Sequence, residues 1–226
     1  MAKWLIDPGH GGVDSGATYK GRRECDDVLK LSLIVGELLK NNNENVYYTR
    51  STDTTVSLSE RSSKENSGDY DYFVSIHRNA YQPEVAKGCE IHVYSNGGVA
   101  EKLANKVNLE IVKNGFVDRG IKKSNFHVLR ETKSPAILIE VGFIDNTSDN
   151  NIFDSKFKQI AQSIVKGCLL QVGKSMILDS DASNSDEIYY RCIAGSFKEK
   201  RNAEVRKVEL ISKGYSDTFI EAYKRK

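Results

Sequence analysis

Apolar and polar positions along the first 175 residues change period repeatedly, from the two-residue alternation of strands to the 3.6-residue spacing of helices. "KWLI", residues 3–6, is a short strand-like run. "DDVLKLSLIVGELLKN", residues 26–41, sets Val28, Leu31, Val35 and Leu38 on one helical stripe, and the asparagines after it supply a stop. "NVYYTR" is rich in strand formers. "SLSERSSKEN" predicts a helix with Ser57 as N-cap and Glu60 as the other half of a capping box. "YDYFVSIH" predicts a strand, and its nearly continuous run from Tyr72 to Ile76 predicts burial on both faces. "CEIHVYS" reads as a strand and "GGVAEKLANKVNLEIVKNG" as a helix ending at Gly115. "FHVLR" and "PAILIEVGF" read as two more strands. "FDSKFKQIAQSIVKGCLLQVG" reads as one amphipathic helix with Phe157, Ile160, Ile164 and Cys168 inside.

Strands that alternate with helices of this length need crossover connections, so the expected fold is α/β: a twisted, mostly parallel sheet flanked by helices over residues 1–175. Residues 176–186 are rich in serine and aspartate and read as a linker. Residues 187–226 read as strand, helix, strand, a small βαβ-like unit. Forty residues build little core. The tail is therefore expected to pair with a second copy, giving a homodimer, or to dock on a partner.

Composition narrows the class. With 39% hydrophobic and 28% charged residues in 226, the chain is an ordinary globular protein rather than a disordered one. No apolar run approaches a membrane span, which argues against membrane insertion. "MAKWLIDPGH" lacks the apolar core of an export signal, so the expectation is synthesis in the bacterial cytoplasm and release through a pore or on lysis. Cys25, Cys89, Cys168 and Cys192 are scattered without a C-x-x-C pair and read as reduced, mostly buried thiols. Residues 187–226 carry ten Lys/Arg against six Asp/Glu, a net +4, and leave residues 1–186 at −2. The basic tail suits an anionic surface or is simply a solvated helix face. The slightly acidic body disfavours nucleic acid.

Four side chains able to hydrolyse with a metal fall at or near strand ends. His10 follows "WLIDPG", Glu24 opens the first helix, His77 ends "YFVSI" and Glu140 ends "PAILI". In open parallel sheets ligands bind beyond the carboxyl ends of the strands. Two imidazoles and a carboxylate are the ligand set of an open catalytic zinc site, and a further carboxylate, for which Glu140 is the candidate, takes the proton of the attacking water. Spacing alone leaves a second reading open, in which His10 caps a turn, Glu24 favours a helix N-terminus and His77 is a satisfied core histidine. The glycines of "LIDPGHGGVDSG" form no phosphate loop, because neither G-x-x-x-x-G-K-[ST] nor G-x-G-x-x-G is present.

The motifs "IDPGHGG-x-D-x-GA", a glutamate opening the first helix, "TR-x-x-D" (Thr49, Arg50, Asp53), "L-x-x-R" (Leu58, Arg61), "FVSIHRNA", "KGCEIHVY", "FHVLR" and "PAILIEVGFIDN" occur in that order. Together, over about residues 3–172, they resemble the zinc-dependent N-acetylmuramoyl-L-alanine amidases of the Amidase_3 type. The resemblance implies one zinc ion on His10, Glu24 and His77, with Glu140 as catalytic acid/base. It implies cleavage of peptidoglycan at the amide between N-acetylmuramic acid and the L-alanine of the stem peptide. Asn79 and Arg130 are candidate substrate contacts; Asn79 reads equally as a turn former and Arg130 as an ordinary end-of-element charge. Arg78 stands where the family commonly has a small residue, and is expected either to meet a stem-peptide carboxylate or to point to solvent. His127 replaces a usual aromatic and is expected to pack in a strand or to hydrogen-bond substrate near the cleft, and His92 to be structural. The tail stretch "GSF…NAE", Gly195–Phe197 and Asn202–Glu204, resembles half of a SPOR domain and so implies wall binding. A phage or prophage endolysin is the expected setting, with an autolysin or spore-lysis enzyme looking the same. A non-catalytic wall-binding protein and a zinc peptidase acting within the stem are the competing functions.

Overall fold

The computed structural model describes residues 1–177, 195–215 and 220. The chain divides into two compact units, Met1–Asp181 and Ala182–Lys226.

In the first unit the strands β1 (Lys3–Pro8), β2 (Thr18–Tyr19), β3 (Arg22–Arg23), β4 (Asn45–Tyr48), β5 (Tyr72–Asn79), β6 (Cys89–Val93), β7 (Asp118–Lys123) and β8 (Ala136–Phe143) appear in chain order. Between and after them lie α1 (Glu24–Asn41), α2 (Leu58–Ser67), α3 (Val99–Ile111), α4 (His127–Arg130), α5 (Thr147–Ser155) and α6 (Phe157–Gln171). Six strands form one sheet in the order β4-β1-β5-β8-β6-β7, and β2 and β3 form a separate hairpin. β4, β1, β5 and β8 run parallel, β6 is antiparallel to β8, and β7 is parallel to β6. The expected α/β architecture is the observed one.

Helix α1 forms because Val28, Leu31, Val35 and Leu39 make a single stripe, fully buried, while Glu24, Asp26 and Asp27 complement the dipole in its first turn. The Ser57–Glu60 capping box starts α2. One face of the sheet packs α1, α3 and α6 around Ile6, Val74, Ile76, Ile139 and Val141. On the other face Leu5, Phe73, Leu138, Val128 and Leu129 make a smaller core beneath α2 and α4.

Four elements depart from the sequence reading. "FHVLR" is helical, as α4; its adjacent pair Val128 and Leu129 is buried on one side of a single turn, which alternation cannot distinguish from a strand. The expected helix over 153–173 is two helices, broken at Lys156 where φ is −120°, with the Phe153 and Phe157 rings 5.2 Å apart across the break. The edge strand β7, "DRGIKK", has no apolar run to reveal it. The β2–β3 hairpin turns on Lys20 and Gly21 at φ 48° and 81°, the conformation a tight two-residue turn requires. In the second unit α7 (Lys200–Ser212) matches the expected tail helix, while the flanking strands and Cys192 fall outside the described residues. Cys25, Cys89 and Cys168 are buried free thiols.

A charge cluster ties the sheet to α2. The Asp7 carboxylate, 1% exposed, accepts from Thr49 Oγ1 at 2.5 Å, Arg61 Nη1 at 2.5 Å and Ser75 Oγ at 2.7 Å. Arg61→Ala leaves the buried Asp7 side chain without its bonded guanidinium, and unfolding in urea should show a loss of about 3–5 kcal/mol.

Candidate active site at the carboxyl rim of the sheet

The chain leaves β1 through a bend of unusual backbone. His10 lies at φ 56°, followed by Gly11 at 123° and Gly12 at 62°. A non-glycine residue there is strained and persists only if its surroundings hold it. Arg50 donates to the carbonyls of Pro8 (3.0 Å) and Gly9 (2.7 Å), and Arg61 to those of Pro8 (2.7 Å) and His10 (2.7 Å). From the other side, Asp53 Oδ1 accepts the Gly12 N–H at 2.7 Å and Thr55 Oγ1 the Val13 N–H at 3.0 Å. The "TR-x-x-D" and "L-x-x-R" motifs are therefore the clamp on the histidine bend.

The bend presents the His10 ring edge-on to that of His77, with centroids 4.9 Å apart. Glu24, at the start of α1, sits between them: Oε1 is 3.2 Å from His10 Nε2 and 2.9 Å from His77 Nδ1. Its Oε1 also accepts the Arg78 N–H at 3.0 Å and its Oε2 the Ala17 N–H at 2.9 Å, which fixes the carboxylate plane. One donor atom from each of His10, Glu24 and His77 lies within 4.8 Å of the other two, the only such group among the described residues. Asp14 Oδ2 holds His10 Nδ1 at 2.8 Å and leaves Nε2 facing inward.

Electrostatics follow from this packing. Burial opposes charge on His10, yet its bonds to Glu24 and Asp14 prevail and raise its pKa to about 9. His77 shifts in the same direction against its burial, through the Glu24 bond. Burial works against ionised Glu24 too, but the two imidazoles hold its carboxyl well below the usual range. Glu140 is the opposite case. It faces His77 in the β5–β8 register and Glu90 in the β8–β6 register, and its Oε2 is buried without a hydrogen-bond partner. Burial, reinforced by Glu24 and Glu90, pushes it up to about 7.

The remaining sequence candidates sit differently. Asn79 ends β5 with its Nδ2 on Glu90 Oε1 (2.8 Å) and its Oδ1 accepting the Ala80 N–H (2.8 Å), so its amide is engaged within the protein. Arg130 lies on α4, bonded to Glu131 (2.6 Å) and Asn125 (2.8 Å). Arg78 neither reaches solvent nor offers itself to a ligand. Its side chain is fully buried, bonds Asp27 (2.8 Å) and Asn150 (2.7 Å), and stacks 4.0 Å over Phe153, because the α1–α5 junction supplies the acid and the ring that an interior guanidinium needs. His127 bonds Ser62 Oγ (3.1 Å) from a helix, and His92 bonds Ser124 Oγ (2.7 Å).

Close packing makes glycine necessary beside the ring of His77: a Cβ on Gly9 falls 2.3 Å from its Cε1. Gly9→Ala should lower stability by about 1–3 kcal/mol and move the His77 ring resonances, checked by thermal denaturation and NMR.

Residues 5–169 match the family Amidase_3, N-acetylmuramoyl-L-alanine amidase. The chain is 37% identical to N-acetylmuramoyl-L-alanine amidase CwlM of Bacillus licheniformis over 224 residues, covering 97% of this chain and 85% of that protein. It is 35% identical, with the same coverage, to a sporulation-specific N-acetylmuramoyl-L-alanine amidase of Bacillus subtilis. Among solved structures, an N-acetylmuramoyl-L-alanine amidase of Clostridium difficile 630 superposes with a TM-score of 0.72 at 37% identity, over 76% of this chain and 97% of the other. With the fold, the rim and the family match in agreement, the chain belongs to the Amidase_3 family of N-acetylmuramoyl-L-alanine amidases, enzymes of cell-wall hydrolysis.

Proposed function

We propose that this protein hydrolyses the amide joining the lactyl group of N-acetylmuramic acid to the L-alanine of the stem peptide, with one zinc ion held by His10, Glu24 and His77 and with Glu140 as acid/base. The observation that carries this reading is the buried, unpartnered Oε2 of Glu140 on the strand beside His77, one of three converging donors. A two-nitrogen, one-oxygen donor set suits zinc with a coordination position left open. When bound, zinc supplies the Lewis acidity that makes water nucleophilic near neutral pH.

The chain's own residues do the rest. Glu140 takes the proton from the attacking water and returns it to the departing L-alanyl nitrogen. Asp14 holds the His10 tautomer, and the Arg78 and Ala17 amides hold Glu24. The protons that raise the two imidazoles must leave when metal enters, so zinc affinity should fall as pH is lowered from 8 to 6. Titration with a competing chelator measures this, and Asp14→Ala should weaken binding by about 10–100-fold.

The reaction is tested by digesting purified peptidoglycan and mapping the new termini by mass spectrometry. New L-alanine amino termini on intact glycan are expected; new reducing ends or D-amino acid termini overturn the reading. His77→Ala should lose both zinc and activity, and Glu140→Gln activity alone. Glu140→Gln has a second readout. The carboxyl sits at about 7 in the fold against 4.5 ordinarily, so ionising it costs stability progressively as pH rises through that interval. The metal-free Gln variant should therefore melt above wild type at pH 8 and together with it at pH 4.

Residues 187–226 complete the proposal as a SPOR-like wall-binding or self-association unit joined through 176–186. The relatives aligned over 97% of the chain must share most of this tail. Among its described residues α7 buries no side chain and exposes Val205 and Val208. Those relatives are bacterial proteins, one named sporulation-specific, which favours an enzyme of the producing cell's own wall over a phage endolysin. Removing residues 178–226 should abolish sedimentation with peptidoglycan or self-association; unchanged behaviour in both overturns this assignment.

A further inference from the structure

We propose that Arg119 is the receptor for a carboxylate of the stem peptide, the free acid of the second residue beyond the scissile amide. This rests on the amidase reading above and names which part of the substrate the rim selects.

Arg119 is the second residue of the edge strand β7. Its Nε donates to Glu90 Oε2 at 2.7 Å, and its Cζ lies 5.0 Å from the centroid of the buried Phe143 ring. Glu90 is itself 7% exposed and anchored by Asn79, so one edge of the guanidinium and one face are both fixed. Gly88 makes room for the side chain, since a Cβ there falls 3.1 Å from Arg119 Cγ. The two terminal nitrogens have no hydrogen-bond partner among the described residues, and the side chain remains 37% exposed. A planar fork held rigid with its outer donors free matches a carboxylate and loses little entropy on binding one. Arg130 and Arg22 differ: each has terminal nitrogens on a side-chain partner already, Asn125 for one and Asp154 for the other.

Position supports the assignment. Glu90 stands directly opposite Glu140 on the neighbouring strand, roughly 4.8 Å away along the sheet. An extended peptide advances about 3.4 Å per residue. A guanidinium bonded to Glu90 therefore falls within reach of the second stem residue when the first has its nitrogen at Glu140.

Two soluble muramyl peptides with full stems test this, one with D-isoglutamate at the second position and one with its amide, D-isoglutamine. The zinc-loaded full chain should cleave the acid with kcat/KM about 10-fold or more above the amide, mainly through KM. Arg119→Gln should erase that preference and Arg119→Lys keep part of it. A merely structural Arg119 slows both substrates equally and leaves the ratio intact, which overturns the inference, as does a wild type indifferent to amidation. Cleavage of neither peptide overturns the amidase reading and this inference with it.

Discussion

The active rim depends on three backbone carbonyls. Pro8, Gly9 and His10 turn their oxygens inward at the end of β1, and two buried guanidiniums receive them. Gly11 and Gly12 bring no side chains to pack, so His10 is held at its positive φ by these bonds together with those of Asp14, Asp53 and Thr55. The carbonyls cannot neutralise two cations, and so Asp7, one residue before the bend, does part of it. Thr49 and Ser75 complete the Asp7 shell from the strands on either side of β1. The same residues thus tie β1 to its two neighbours and set the position of His10.

From that fixed point the three-donor group is assembled by charge. A carboxylate between two imidazoles is attractive only while they carry protons, and each imidazole shifts in the direction that keeps them. The hydrogen bonds of Glu24 to both rings thus hold the three donor atoms within 4.8 Å of one another. Glu140 is left outside this exchange, one strand over, buried and unpaired. Two carboxylates of one rim are driven in opposite directions, Glu24 by the two imidazoles and Glu140 by burial.

Much of this was legible in the chain. His10, Glu24, His77 and Glu140 each follow or precede a strong periodic segment, so sequence places them at element ends even though 14 to 63 positions separate neighbours. Arg50 and Arg61 were visible as motifs but not as a clamp, since their partners are main-chain oxygens that no side-chain pattern encodes. Arg78 misled because arginine is rarely interior; only the fold shows that Asp27, Asn150 and Phe153 converge on it. β7 was silent because an edge strand with one face open and four charges in six residues has no hydrophobic signature.

The reversal at β6 matters most among the features that sequence did not reveal. Had the sheet continued in parallel, the next two strands would have delivered their carboxyl ends, near Val93 and Lys123, to the active rim. Running the other way, β6 and β7 deliver their beginnings, and Glu90 and Arg119 arrive beside Glu140 instead. The mixed sheet thus places the Glu140 carboxyl from β8 next to an acid–guanidinium pair from two strand starts. It also divides the rim. The parallel half holds His10, His77 and Glu140, and the reversed half carries the Glu90–Arg119 pair.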